Sequence, residues 1–361
     1  MTHSDFTGSK LSSALFEPVV VSWQSPSNIA LVKYWGKTGR QLPVNPSLSM
    51  TLSKAYTWSK LTAFPREKDG PVELDFWFDG NQNQAFGQRI ISFLESVTDI
   101  FPWLEQVHLK LETKNTFPHS AGIASSASAF SALALCLCSL DAELLGILLD
   151  EEEFRLKASY VARLGSGSAC RSLYEGFTVW GKTKAVPGSS DQFAVQVTDV
   201  NPVFTTLQDT ILLVNEKAKP VSSSEGHNRM IDHPFKEGRI KQAKQNTADL
   251  LEALKTGDKK TFIRIVENEA LTLHALMMSS DKSFMLMQPE TVRIISRIQE
   301  IRSETGLDIC FTLDAGPNIH MLYFKEQNEQ VYKLIVEDLL KNNKQNMRLD
   351  DFYGNGPIKI G

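Results

Sequence analysis

Four short stretches of this 361-residue chain hold polar or charged groups in places where composition alone does not require them. The first runs from Phe117 to Phe130 (FPHSAGIASSASAF), where Pro118, Gly122 and the serines lead into small and apolar residues that continue to Leu140. A loop carrying Gly122, Ser125 and Ser126 brings its backbone close to an anion, and a helix starting there aims unpaired N–H groups and its positive dipole end at the same spot. That is a phosphate cradle; a buried helix with a serine N-cap accounts for the same residues. The second stretch, SPSNIALVKYWGK from Ser25 to Lys37, delivers Lys33, Tyr34, Trp35 and Lys37 together. They suit a phosphorylated small molecule, with Lys as a point charge and Tyr as a donor. They suit equally an amphipathic edge strand with its lysines in solvent.

The third stretch is Gly165-Ser166-Gly167-Ser168, with Arg171 three residues beyond. A helix starting near Ser168 puts Ser168 and Arg171 on one face at its amino end, so that hydroxyls, backbone N–H groups and a guanidinium converge on a carboxylate or phosphate. A glycine-serine turn beside a surface arginine is the structural alternative. The fourth, Thr312 to Asn318 (TLDAGPN), ends an apolar strand at Asp314 against a Gly-Pro turn. A carboxylate there can reach a substrate hydroxyl, or it can bond its own turn backbone.

A fifth motif fits on paper and fails in context. Gly176 to Thr183 (GFTVWGKT) has the spacing of a P-loop, G-x-x-x-x-G-K-T. Its spacer residues are strand formers, and the sequence after Thr183 runs into AVPGSSD, which does not start a helix. The other GKT, Gly36 to Thr38, has Leu31 where the first glycine belongs.

The elements that must position these groups follow from patterning. Val19 to Trp23, Leu48 to Leu52, Trp58 to Phe64 and Val72 to Phe78 read as strands, the last two joined as a hairpin through PREKDGP. A helix is expected over Gln84 to Val97, an alternating strand at Val107, Leu109 and Leu111, then the cradle helix, acidic helical segments between Ser139 and Ser159, and a strand in GFTVWGKTKAV. Turn-rich sequence from Val186 to Thr206 precedes a new strand at Asp209 to Asn215, which sets a domain boundary near 205 and units of 1–205 and 206–361. The second unit reads as helices over about Pro234 to Leu254, Lys259 to Met278 and Pro289 to Glu304, a strand pair around DAGPN, a helix and a last short strand. Both halves are α+β. With 42% hydrophobic residues the chain can bury a large core, and its net charge of −4 gives no basic excess for a nucleic-acid partner. Cys136, Cys138, Cys170 and Cys310 form no CxxC pair and read as reduced, buried thiols. No uninterrupted apolar run approaches the ~18 residues of a membrane span and no leader is visible at the start, so a soluble, cytoplasmic protein is expected. The acidic run Asp150 to Glu153 reads as a solvated helix face, and the pair Met277-Met278 as core.

Taken together, the four stretches resemble the GHMP small-molecule kinase superfamily and, within it, the mevalonate diphosphate decarboxylases. Pro118, Gly122, Ser125 and Ser126 match the superfamily's P-x-x-x-G-x-x-S-S ATP loop, and NIALVKYWGK, GSGSACRS and DAGPN match segments particular to the decarboxylases, in their order. Similarity is weaker through KPVSSS (Lys219 to Ser224) and ENEALTLHALMM (Glu267 to Met278). The resemblance implies an S5 domain 2-like amino-terminal domain and a ferredoxin-like carboxy-terminal one with the site between them. It implies ATP-dependent 3-phosphorylation of mevalonate 5-diphosphate, then loss of phosphate and carbon dioxide to give isopentenyl diphosphate, commonly in a homodimer. Asp314 would orient or deprotonate the 3-hydroxyl, Arg171 would hold the substrate carboxylate, and Lys33 would lie beside Asp314 as a positive charge favouring its carboxylate form. Tyr34, Trp35, Lys37, Ser166, Ser168, Ser222 and Ser223 would contact the substrate. Pro118, Ser120, Ala121, Gly122, Ile123, Ala124, Ser125 and Ser126 would bind ATP, the two last serines also meeting Mg2+ through its phosphates.

Two departures stand out. Where the family usually has Asn-x-Pro-Thr-Ala-Ala before the cradle glycine, this chain has Phe117-Pro118-His119-Ser120-Ala121, and His119 either touches an ATP phosphate or packs on Phe117. After KPVSS, bacterial members tend to carry a diphosphate-binding arginine; here Ser224 stands in that place, and Arg229 is the candidate substitute. A phosphomevalonate decarboxylase, a mevalonate-type kinase and a non-catalytic member of the superfamily are the alternatives.

Overall fold

The computed structural model describes residues 3–12, 16–118, 123–148, 150–214, 223–341 and 348–360. The amino-terminal half contributes β1 (Val19–Val32), β2 (Lys37–Thr38), β3 (Leu42–Pro43), β4 (Ser47–Pro65), β5 (Glu73–Phe78), β6 (Asn81–Gln82), α1 (Gln84–Glu95), β7 (Val107–Asn115), α2 (Ser125–Leu145), α3 (Glu151–Gly165), β8 (Phe177–Trp180) and β9 (Ala194–Gln196). After these come β10 (Leu207–Leu212), α4 (Ser223–Asn228), α5 (Lys236–Thr256), α6 (Lys259–Met278), α7 (Pro289–Thr305), β11 (Cys310–Leu313), β12 (Ile319–Phe324), α8 (Asn328–Leu334), β13 (Arg348–Phe352) and β14 (Ile358–Lys359).

The first sheet runs β14-β1-β4-β7-β5-β6, with β8 added to β4 and β9 to β8; the second runs β11-β12-β10-β13. Two expectations change. The segments Leu48 to Leu52 and Trp58 to Phe64 are parts of one strand, β4. Its polar midpoint stays extended because the Asp351 carboxylate accepts the N–H groups of Ser53, Lys54 and Ala55 at 2.7, 2.9 and 2.7 Å. The hairpin between Trp58–Phe64 and Val72–Phe78 does not form. Strand β7 lies between them, antiparallel to β4 and parallel to β5, because its alternating Val107, Leu109 and Leu111 supply the buried face that both neighbours need.

Helix α2 packs against β1, β4 and α3 and is buried from Ala127 to Asp141 apart from Ala129, so it shows no polar stripe. It is long and apolar enough to cross a bilayer, contrary to the sequence expectation, yet most of it is enclosed by the protein core. The four cysteines are buried and unpaired. Asp150 caps α3 by accepting the Glu153 N–H at 2.7 Å, and Glu151 to Glu153 lie in the first turn, where acidic groups favour the helix dipole. Met277 is core, whereas Met278 is exposed. No helix begins at Lys182, so GFTVWGKT is the strand β8 followed by a turn.

The halves are joined at the end of β1. Strand β1 shifts register against β4 at Pro26/Asn28 and again at Ala30/Val32, which re-aims its last residues. There Glu269 of α6 accepts the backbone N–H of Lys33 at 2.9 Å, Arg239 of α5 at 2.6 and 2.7 Å, and the Asn246 amide at 2.7 Å. Arg239 also donates to the Lys33 carbonyl at 3.1 Å. Glu269 is fully buried, so its charge is supportable only because every one of these donors meets it. Glu269→Ala, which strands a buried guanidinium, is expected to cost about 3–5 kcal/mol, read as a lower denaturation midpoint at unchanged m-value.

Candidate active site

A cleft of about 520 Å³ opens between the two halves. Its described lining carries four cations, Lys33, Lys37, Arg89 and Arg171, and a single carboxylate, Asp314. That imbalance prepares the cleft for a multiply charged anion.

Lys33 is 2% exposed at the end of β1. Its ammonium donates to the Ala30 carbonyl at 2.5 Å and lies 3.9 Å from Asp314 Oδ1. Burial lowers its pKa to about 8, against the pull of Asp314 and Glu269, while Arg171 and Arg239 lower it further. Asp314 follows β11, and the hairpin turn to β12 is fixed by Gly316 N–H on its carbonyl at 2.7 Å and by Thr291 on Pro317. Arg171 sits in a 3-10 helix, Gly167–Leu173, whose three-residue repeat stacks it over Ser168. Its Nε and Nη1 donate to Ser49 and Ser47 at 3.1 and 2.8 Å, which leaves the Nη2 edge for a ligand. The two serines alternate along β4, so period two puts both hydroxyls on one face.

Tyr34 packs against Trp180 at 4.6 Å and against His227 at 4.3 Å. Its Oη is buried with no hydrogen-bond partner among the described residues, although the residue lines the cleft. A Cβ on Gly167 would come within 2.9 Å of that oxygen, so the glycine makes the seat for the ring. Trp35 also lines the cleft but is anchored in an apolar cluster with Met230, Leu273 and Met277. Lys37 reaches Gln41 Oε1 at 3.2 Å, and burial followed by Arg89 lowers its pKa.

The phosphate loop meets the same cleft. Ala124 takes a left-handed backbone, φ 45° and ψ 43°, immediately before α2, and no side chain caps the first amides. A non-glycine residue there is strained, and the freed N–H groups at the helix start are what an anion would satisfy. Ser27 donates to the Ile123 carbonyl at 2.5 Å, and Ser126 Oγ lies 3.3 Å from Ser166 Oγ, so the first three stretches touch. Ile123, Ala124, Ser125 and Ser126 line the cleft; Pro118 does not and is exposed, because the chain turns Phe117 into the core just before it. His119, Ser120, Ala121, Gly122 and Ser222 lie outside the described residues, and Ser223 begins α4. Beyond the loop the cleft becomes apolar, with Phe76, Phe78, Phe86 and Leu111. An aromatic end beside uncapped amides fits a nucleotide, base first and phosphates on the helix. Among the described residues no cluster of three His, Cys, Asp or Glu is set to ligate a metal. The hydroxyls of Ser125 and Ser126 on the lining suit a Mg2+ carried by bound phosphates.

Several site residues went unread in the sequence. Asn28 lines the cleft and donates to the Ser168 carbonyl at 3.2 Å and to Ser172 Oγ at 2.8 Å, while its buried Oδ1 has no partner among the described residues. Its place two residues after Pro26, where β1 shifts register, was the available signal. Arg89 and the aromatic end carry no motif. Arg229, the candidate substitute for the missing arginine, lies just past α4, pairs with Glu225 at 2.5 Å and does not line the cleft; His227, on α4, does.

Residues 25–194 match the family model described as the diphosphomevalonate decarboxylase-like N-terminal domain, and residues 210–355 that of the mevalonate 5-diphosphate decarboxylase C-terminal domain. A diphosphomevalonate decarboxylase of Ganoderma lucidum is 31% identical over 334 residues, 87% of this chain and 80% of the relative. The solved mevalonate diphosphate decarboxylase of Enterococcus faecalis superposes with a TM-score of 0.79 at 29% identity, over 95% of this chain and 99% of the other. A structure described as "MDDEF in complex with MVAPP, AMPPCP and Magnesium" gives a TM-score of 0.81 at 29% identity over the same shares. The chain belongs to the diphosphomevalonate decarboxylase family.

Proposed function

We propose that this chain carries out the ATP-dependent decarboxylation of mevalonate 5-diphosphate to isopentenyl diphosphate, releasing ADP, phosphate and carbon dioxide. The observation that carries the reading is the pairing of Asp314 with the buried Lys33 at 3.9 Å, in one cleft with Arg171. Bound ATP would supply the phosphoryl group that makes the 3-hydroxyl a leaving group, with Mg2+ offsetting phosphate charge, both held by Ser125, Ser126 and the amides that begin α2. Asp314 orients the tertiary 3-hydroxyl and takes its proton, while Lys33 keeps a positive charge beside that carboxylate. Arg171 holds the substrate carboxylate with its Nη2 edge. As the carbon–oxygen bond to phosphate breaks, the electron pair of the bond to the carboxylate becomes the new alkene bond and carbon dioxide departs. Catalysis here is the fixing of anions and of developing charge, which needs no strong nucleophile. Tyr34, Lys37, Ser166, Ser168, Ser222 and Ser223 would hold the substrate and its diphosphate.

The reading includes units of 1–205 and 206–361, a cytoplasmic location and a homodimer. Four buried, unpaired thiols support a reducing compartment, and sedimentation tests the dimer.

The deciding assay offers mevalonate, its 5-phosphate and its 5-diphosphate with ATP and Mg2+ and scores carbon dioxide. Release from the diphosphate alone is expected; a stable phosphorylated acid without carbon dioxide would make the chain a kinase. Asp314→Asn is expected to lower kcat by about 10²–10⁴-fold, the share of a positioned general base. Undiminished turnover would remove Asp314 from the mechanism. A charged Lys33 is present below its pKa and lost above it, so kcat/KM should fall as pH rises through about 8. Lys33→Arg, slower but charged throughout, should lack that alkaline limb.

A further inference from the structure

Helix α4 carries one residue into the cleft whose geometry is already that of a ligand donor. His227 is 8% exposed and lines the cleft. Its ring lies 4.3 Å from Tyr34 and 4.9 Å from Trp35. The backbone N–H of Gly36 donates to His227 Nδ1 at 3.0 Å. That bond makes Nδ1 the acceptor, so in the neutral ring the proton is on Nε2, the opposite corner. Gly226 makes the packing feasible, since a Cβ there would meet the Trp35 ring at 2.3 Å.

The cations nearest the ring electrostatically are Lys37 and Arg171. With Tyr34 Oη lacking a partner, this end of the cleft gathers a hydroxyl, an ammonium and an imidazole N–H. The only described carboxylate on the lining, Asp314, is paired with Lys33. A hydroxyl without a partner, an ammonium met by a neutral amide oxygen and an imidazole N–H together suit an anion.

We propose that His227 donates its Nε2–H, as a neutral imidazole, to the diphosphate of the substrate at the Tyr34–Lys37 end of the cleft. The proposal deepens the decarboxylase reading and rests on it. Burial first, then Lys37 and Arg171, pull the imidazole pKa down to about 3, so the ring stays neutral and gives a directional donor without a further charge. It fills the place for which the sequence had offered Arg229, whose guanidinium is held by Glu225 instead.

Two isosteres separate the ring's two nitrogens. Asn keeps an acceptor near Nδ1 for Gly36 and loses the Nε2 donor; Gln places an amide N–H near Nε2 and loses the Gly36 bond. His227→Asn is expected to raise the Kd for mevalonate 5-diphosphate about tenfold, the loss of a hydrogen bond to a charged group, with His227→Gln within about threefold of the parent. In the unmutated protein labelled with 15N-histidine, the His227 Nε2 resonance, identified by its loss in the Asn variant, should shift on saturation with mevalonate 5-diphosphate. It should keep the frequency of a protonated nitrogen in a neutral ring. Parent-like affinity in the Asn variant, or an unmoved Nε2 resonance at saturation, would overturn the proposal. Carbon dioxide release by the parent is scored alongside. Its absence overturns the decarboxylase reading, and its presence with an unmoved resonance overturns the role of His227 alone.

Discussion

An ammonium taken out of water at the end of a strand is the constraint from which the arrangement follows. Lys33 is all but inaccessible, and desolvation of its charge is opposed by three things: the Ala30 carbonyl, the Asp314 carboxylate and the field of Glu269. Each comes from a different part of the chain. Asp314 requires the β11–β12 turn, Glu269 requires α6, and the carbonyl requires the register shift that bends β1. A buried cation of this kind is weak evidence for stability, because apolar residues of the same volume often serve better. Its retention makes sense as chemistry, since the same desolvation that depresses Lys33 strengthens its hold on the neighbouring carboxylate.

The remaining cations extend that logic. Arg171 is held on two sides by serine hydroxyls, which orient a guanidinium without neutralising it, whereas a carboxylate partner would have cancelled its charge. Arg239 is the contrasting case. It is equally buried but spent on Glu269, and its work is to fix the backbone on both sides of Lys33. Paired arginine builds the wall of the site, and unpaired arginine faces what the site binds.

Much of this is legible in the sequence. The helix expected over about Lys259 to Met278 forms over those residues, with Gly257 ending the preceding helix and the Asp258 side chain capping this one. The four polar stretches were visible because each sets ionisable or hydroxyl groups against Gly, Pro or apolar runs. Pairing was less visible. The false hairpin had a good turn and two good strands, and only a non-local partner, β7, displaces it. The gap between the strands read at Leu48 to Leu52 and Trp58 to Phe64 closes because Asp351, far along the chain, accepts from three amides there. Glu269 was hidden because a glutamate in an amphipathic helix normally faces water. Arg229 was misplaced because an i,i+4 glutamate competes for it, and His227 carries no motif at all.

Strand β14 is the outermost strand of the first sheet and pairs Ile358 and Lys359 with Gln24 and Trp23 of β1. The edge of the first sheet to be synthesised is thus completed only after the entire second sheet has left the ribosome. During translation the amino-terminal half carries an open strand edge, the kind of surface that recruits foreign strands. The chain's own downstream segment is the cover for it, and Asp351 on the adjoining strand ties the same return to the middle of β4. The last strand in the sequence is thus laid against the first long one.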